Sequence, residues 1–482
     1  MTTNKTIIFN PRSANSKHRI PNSILQVGAA IHGKYEYVFV DGNLEKDPWL
    51  TIENFLQTGE YRYFGSTVMP GPQLRQAIPF TKKIKEQFPN IITIWGGYFA
   101  SNQYKVSLNS GYVDYVINGP GDNTFPELIN AIETNQLDKI PSIKNLILKN
   151  EKEEIIKTDV EALLDQDTLP KFPYDYLNSF YPVKNYLAKT FMGNKTLSYH
   201  SSMGCPFSCS FCAVVPIYNA KWKGMSAARI YEDVTYFKEN YNIDAIEFHD
   251  NNFFTAKKRV LEFSELIMND NISYWGEGRI DTINMYGDDE LILMRKAGCK
   301  MIFLGAETGN DAVLKQMNKG GTQTGQMIKD FVLRMKSADI IPELSFVLGM
   351  PAKTEKEVYN QILWDINFIK EIKVIKQNNI YKVVYSNNLD NYTFDTCTKE
   401  SKTFNREYHS IIYKPNEIAE YIDTNKKELE LWDIVFISGE SDQTYSFSAP
   451  PVVIDAALYD ALLNSLDTSH FANFTTSLDG EG

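Results

Sequence analysis

Cysteine is scarce in this chain: there are five in 482 residues, and two of them, Cys299 and Cys397, stand far from the other three. So few exclude a secreted fold stapled by disulfides and point to a reducing compartment. Long apolar runs are missing as well. No stretch approaches the ~20 apolar residues of a membrane helix, and the opening Met1–Pro11 run is too short in apolar residues for a secretory leader, so a cytoplasmic protein without a membrane span is expected. Positive charge is in deficit: 49 Lys and Arg against 60 Asp and Glu give a formal charge of −11, which opposes nonspecific binding to nucleic acid or an anionic surface. What is present, 43% hydrophobic and 23% charged residues, is an ordinary globular composition long enough for two or three cores.

The remaining cysteines sit together as Cys205, Cys209 and Cys212 in Gly-Cys-Pro-Phe-Ser-Cys-Ser-Phe-Cys, a Cys-x3-Cys-x2-Cys spacing with Phe211 before the last thiol. A zinc knuckle, a disulfide loop and three plain buried cysteines are the alternatives, and the lack of a fourth Cys or His nearby argues against zinc. Three thiolates can hold three irons of a four-iron cluster and leave the fourth open to a ligand. The motif closely resembles the signature of the radical SAM enzymes. That resemblance implies a [4Fe-4S] cluster on Cys205, Cys209 and Cys212, S-adenosylmethionine chelated by the open iron, and an electron donor such as flavodoxin or ferredoxin.

Ahead of the motif, residues 5 to 136 alternate β-branched or aromatic runs with helical patterns, the mark of a parallel α/β sheet. Strands are expected at Lys5–Phe9, Tyr35–Val40, Arg62–Met69, Ile91–Trp95 and Val113–Ile117, with helices such as Asn22–His32 and Gln73–Phe88 between them. Ligands of such sheets bind beyond the carboxyl ends of the strands. The loops there are rich in glycine: Gly71 with Gln73, Gly96 with Gly97, and Gly119 with Gly121. Glycine lets a bulky ligand approach backbone, although each loop alone reads as a tight turn. Placed before the cysteine motif, these loops resemble the cobalamin-binding domain of cobalamin-dependent radical SAM enzymes, which implies that Gly71, Gln73, Gly96, Gly97, Gly119 and Gly121 face cobalamin. The Asp-x-His-x-x-Gly motif of cobalamin-dependent mutases is absent, and His18 and His32 lack its context, so no histidine of this domain is expected beneath the cobalt. Residues 137–195 read as a connector containing a hairpin, Ile143–Leu148 with Glu154–Thr158.

From 196 to about 390 the strand-then-helix rhythm returns, consistent with the partial (β/α)6 barrel that the resemblance implies. Strands are expected at Leu197–Ser201, Ala245–Phe248, Ser273–Trp275, Met301–Leu304, Glu343–Leu348 and Ile380–Tyr385, and polar residues cluster after them, where a barrel places its chemistry. Four roles are implied there by the resemblance. Arg279 has the planar fork suited to the methionyl carboxylate. Glu307, in Gly-Ala-Glu-Thr-Gly, would accept from the ribose hydroxyls; Asp250 and Asn251 would hold the amino group; Phe211 would pack on adenine. No catalytic base is assigned, and His200 and His249 read equally as hydrogen-bonded core. Cys299 and Cys397 read as small buried residues. Residues 391–482 are expected to be a mostly helical, substrate-shaping extension with helices at Asn416–Leu431 and Val453–Leu466. The expected fold is therefore α/β, a Rossmann-like cobalamin domain (1–136) followed by a connector and a radical SAM barrel. The expected activity is cobalamin-dependent radical methylation of an unactivated carbon on a small-molecule or peptide substrate, by way of a 5′-deoxyadenosyl radical and methylcobalamin. The alternatives are radical cyclisation or rearrangement with the same cofactors and, from another class, a plain iron–sulfur electron carrier.

Overall fold

The computed structural model describes residues 4–13, 18–319, 323–348, 350, 352, 354–372, 380–387 and 433–437. Two parallel sheets organise it. The first contains β1 (Lys5–Asn10), β2 (Tyr37–Asp41), β3 (Tyr61–Thr67), β4 (Ile92–Gly96) and β5 (Tyr115–Ile117), extended by the connector hairpin β6 (Leu146–Lys149) and β7 (Ile155–Lys157), in the order β2-β1-β3-β4-β5-β6-β7. The first five strands run parallel, and β6 and β7 add antiparallel to the edge. Chain order reverses between β1 and β3, which makes the crevice beyond their carboxyl ends the favoured ligand position of a doubly wound sheet. Alternate residues bury opposite faces: Ile7 and Phe9 pack with Ile52, Leu56 and Phe64, whereas Ile8 packs with Ile24, Leu25 and Phe125.

The second sheet is built from β8 (Thr196–Tyr199), β11 (Ala245–Phe248), β12 (Ser273–Gly278), β13 (Cys299–Glu307), β14 (Ile341–Leu348), β15 (Ile380–Asn387) and β16 (Asp433–Ile437). All pair in parallel, in the order β16-β15-β14-β13-β12-β11-β8. Six of these strands answer the sequence expectation. β16 is additional, a strand within the extension, and the two helices expected at Asn416–Leu431 and Val453–Leu466 lie outside the described residues. Near its amino end the lumen is closed by Met192, Ala245, Trp275 and Met301, with Phe191, Phe303 and Ile341 packed against them.

Leu197–Ser201, expected as one strand, is divided. β8 stops at Tyr199, and β9 (Ser202–Gly204) turns out to pair antiparallel with β10 (Trp222–Gly224), pinching residues 205–221 into a closed lobe. Gly204 makes the pinch possible: it has φ +76°, and a Cβ there would lie 2.2 Å from the Lys221 carbonyl. No other residue type fits so close to backbone.

A single apolar core links the two sheets. It runs from Ile24 and Phe125 through Tyr174, Leu177 and Tyr186 of the connector to Phe237 and Phe248 beside the barrel. Polar contacts reinforce the connector, since Tyr186 donates to buried Asp41 at 2.7 Å and Tyr181 to Glu45 at 2.7 Å. Among the described residues no helix is long and apolar enough to cross a membrane.

Candidate active site

The carboxyl ends of the two sheets face each other. Tyr98, after β4, donates to Asn251 Oδ1, after β11, at 3.1 Å; Asn102 donates to the Ala213 carbonyl at 3.1 Å; and Ile217 lies against Gly119, where a Cβ would meet its Cγ2 at 3.3 Å. The cysteine lobe therefore rests directly on the glycine-rich loops of the first sheet.

Cys205, Cys209 and Cys212 are all free thiols, with Cys209 buried and the other two half-buried. Burial pushes the Cys205 thiol up to about 11 and the Cys212 thiol in the same direction, and each feels the charge of Cys209, so the three lie close together. Among the described residues no three His, Cys, Asp or Glu side chains converge as ligands of one metal ion do. The donor set fits a cluster, because three soft sulfurs are presented from one lobe and no harder ligand intervenes.

A segment that sequence reasoning passed over grips this lobe. Ser210 donates its N–H to the Met317 carbonyl at 2.9 Å, and Asn318 Nδ2 reaches the Ser208 carbonyl and hydroxyl at 2.8 and 3.0 Å. The next residue, Lys319, is buried; its Nζ lies 2.5 Å from Glu307 Oε1 and 5.9 Å from the centre of the Phe211 ring. Glu307 ends β13 at a register break, with φ +62°, in the left-handed region that side chains with a Cβ rarely occupy. Such backbone persists only where its surroundings over-determine it. Here Gln323 holds the Gly305 and Ala306 carbonyls at 3.2 and 3.0 Å. The sequence offers only a weak hint of Lys319, a lysine one short helix (Asp311–Gln316) beyond Glu307.

Asp250 departs from its expected role. It is fully buried, and its carboxylate accepts from the Ser201 N–H and hydroxyl and from the Ser202 hydroxyl, so it braces the entrance to the cysteine lobe instead of facing a ligand. Its countercharge is Arg259, also buried, which donates to the Ser201 carbonyl at 3.1 Å and the Phe253 carbonyl at 2.8 Å. Asn251, in contrast, is half-buried at the junction of the two sheets. Arg279 is buried beside Cys209 and bound by Asp281.

The expected cobalamin residues divide in the same way. A Cβ on Gly96 would meet nothing within 4 Å, so space is open there. Gly97 has φ +89° and sits where a Cβ would come within 2.8 Å of the Val68 carbonyl, so it serves the contact of two loops; Gly71 and Gly119 also have positive φ. Gly121 makes ordinary contact with Val27. Gln73 does not face a ligand. Its side chain is spent inside, accepting from Met69 N–H at 2.8 Å and donating to Asn10 and to the Pro11 carbonyl at 3.2 and 3.1 Å.

Inside the barrel, His249 stands between Glu247 at 3.1 Å and Glu277 at 3.5 Å, and Arg19 reaches Glu247 at 3.6 Å. Burial pushes His200 down to about 4, which keeps it neutral near pH 7. Beyond Glu307, Thr308 and the Gly309 N–H both donate to Asp365, whose carboxyl burial pushes up to about 6. The folded chain thus keeps a proton that the unfolded chain has lost between pH 4 and 6, so stability falls as pH rises through that window, by on the order of 2 kcal/mol. Asp365→Asn keeps the acceptor and removes the titration. Its melting temperature relative to the parent is expected to rise from pH 4.5 to pH 7.5, and a difference that stays flat with pH would refute the assignment.

Residues 199–362 match the model of the radical SAM superfamily. This chain carries a radical SAM domain. The matched span takes in the cysteine lobe, Glu307 and Lys319. The enzyme is 24% identical over 341 residues to an uncharacterized methyltransferase of Pyrococcus horikoshii, which covers 70% of this chain and 71% of that one. It is 26% identical over 241 residues to the anaerobic magnesium-protoporphyrin IX monomethyl ester cyclase of a Synechocystis strain, covering 49% and 46%. Its fold matches that of the cobalamin-dependent S-adenosylmethionine radical enzyme OxsB, solved with aqua-cobalamin and S-adenosylmethionine, with a TM-score of 0.63 at 17% identity over 76% of this chain and 51% of that one. The enzyme thus spans about half the length of two of these three relatives.

Proposed function

We propose that the enzyme is a cobalamin-dependent radical SAM methyltransferase acting on an unactivated carbon. The observation that carries this reading is the face-to-face arrangement of the two strand-end edges, joined by Tyr98–Asn251, Asn102–Ala213 and Ile217–Gly119. A methyl carrier held by the first sheet would lie against the lobe that would hold the radical-generating cluster, and the similarity to the Pyrococcus methyltransferase agrees with methyl transfer.

In this reading the bound cofactors together supply a carbon-centred radical and a methyl donor. The chain supplies their placement. Cys205, Cys209 and Cys212 ligate the cluster, and Asp250 with Arg259 fixes the strand end that carries them. Glu307 accepts from the two ribose hydroxyls, Phe211 offers its ring to adenine, Asn251 holds the amino group, and Lys319 offers a cation to the methionyl carboxylate. Gly96, open above β4, leaves room for cobalamin, while Gly71, Gly97 and Gly119 shape the loops around it. An electron donor completes the cycle.

The test is direct. Anaerobically purified enzyme supplied with cobalamin is expected to retain it through gel filtration, with its visible spectrum, and to cleave S-adenosylmethionine to 5′-deoxyadenosine when reduced. Cleavage without retained cobalamin would leave a radical SAM enzyme and remove the methyl-transfer reading.

A further inference from the structure

We propose that Arg279 acts on the iron–sulfur cluster itself, donating a hydrogen bond from Nη1 to the sulfur of Cys209 and thereby raising the cluster's reduction potential, with Asp281 and Phe207 as the residues that hold it in place. The inference rests on the proposed function, because it requires the three cysteines to carry a cluster. It gives Arg279 a different task from the methionyl carboxylate expected from the sequence.

Three contacts fix the guanidinium. Nε and Nη2 meet the two oxygens of Asp281 at 3.0 and 2.6 Å, a bidentate pair that uses one whole edge of the fork. Nη1 lies 3.0 Å from Cys209 Sγ. The flat face covers the Phe207 ring, with Cζ 3.9 Å from its centre, so the arginine is stacked on a residue of the very lobe whose thiolate it bonds. The side chains of Arg279 and Asp281 are only 6% and 8% exposed, which excludes water from the pair and strengthens the contact to sulfur. Sequence supports the design: Arg279 and Asp281 follow directly on β12, two residues apart, so one strand end delivers both partners to the same side.

The sign follows from charge. Reduction adds one electron from a low-potential donor, no bond is made or broken, and the added charge spreads over the iron–sulfur core and its thiolates. A hydrogen-bond donor at a thiolate favours the more negative state, and hydrogen bonds to cluster sulfurs are a known means by which proteins set potentials. Asp281 offsets the guanidinium charge at long range, but it lies on the edge turned away from Nη1, so the dipole of the pair still points its positive end at the sulfur.

Reconstituted wild type, Arg279→Lys, Arg279→Met and Asp281→Asn would be compared by redox titration of the cluster, followed by electron paramagnetic resonance without S-adenosylmethionine. The midpoint is expected to fall in Arg279→Met, and to fall less in Arg279→Lys and in Asp281→Asn, each with its iron content retained. The change that S-adenosylmethionine causes in the reduced-cluster signal is expected to persist in all of them. An unchanged midpoint in the variants that hold a full cluster overturns the inference. So does loss of the S-adenosylmethionine response at an unmoved midpoint, which returns Arg279 to the methionyl carboxylate. Absence of a four-iron signal in the wild type is a separate failure, that of the proposed function.

Discussion

Cys209→Ala is expected to remove the four-iron spectrum and 5′-deoxyadenosine formation together, reducing turnover to background. Cys209 is the buried member of the trio and the one in contact with Arg279, so its loss both opens the cluster's coordination and leaves a buried guanidinium edge without its acceptor. Exposed lobes tolerate alanine; this one is clamped by β9 and β10 and by Asn318, and cannot bring another ligand forward. Cys299→Ala is the control. That thiol is fully buried in the barrel core beside Tyr274, and its removal costs about 1 kcal/mol of packing without touching the cluster. Iron content, the visible spectrum and product chromatography read the difference. A Cys209→Ala enzyme that keeps both signals would show that the ligands lie elsewhere.

Glu307→Gln should produce two separable losses. A charge-assisted hydrogen bond to a ligand is worth about 1.5–3 kcal/mol, so affinity for S-adenosylmethionine is expected to fall roughly 10- to 100-fold. Stability should drop as well, because Lys319 then carries a buried charge without its partner, a defect that costs about 3–5 kcal/mol. Adding Lys319→Met removes the orphan charge. The double variant is expected to recover its melting temperature and not its affinity, as measured by thermal denaturation and equilibrium dialysis. If Glu307→Gln binds S-adenosylmethionine as tightly as the parent, the ribose assignment is wrong.

The parts of this enzyme that were legible in its sequence are those in which residue type and spacing suffice. β-branched and aromatic runs marked the strands, glycines marked the loops beyond them, and three thiols at fixed intervals marked the lobe closed by β9 and β10. Partnership was not legible. Asp250 and Asn251 are neighbours in the chain, yet one is consumed by Ser201 and Ser202 and the other reaches the junction of the sheets. Gln73 follows a glycine turn that suits a ligand, but Asn10 and Pro11 fold back and take its amide. Lys319 and Arg259 were missed because each meets its partner through tertiary structure, across a helix or across the base of the lobe, and neither has more than a weak local signal. β16 was missed for a related reason. Its apolar run, Ile434–Ile437, is only four residues long, too short to distinguish strand from helix without knowing that β15 offers it an edge.

The apolar core that passes from Ile24 through Leu177 to Phe248 limits how this enzyme can be taken apart. Cofactor modules joined by flexible tethers can be exchanged like cartridges, each keeping its own interior. Here the connector residues Tyr174, Leu177 and Tyr186 belong to the interior of both halves at once. Cutting the chain at the connector would expose a hydrophobic seam on each piece, and grafting a foreign domain in place of the first sheet would require rebuilding that seam first. The sites that can be retuned one residue at a time are the polar ones at the junction, Tyr98 and Asn102, which reach the second half through side-chain hydrogen bonds, Tyr98 to Asn251 and Tyr218 and Asn102 to the Ala213 carbonyl.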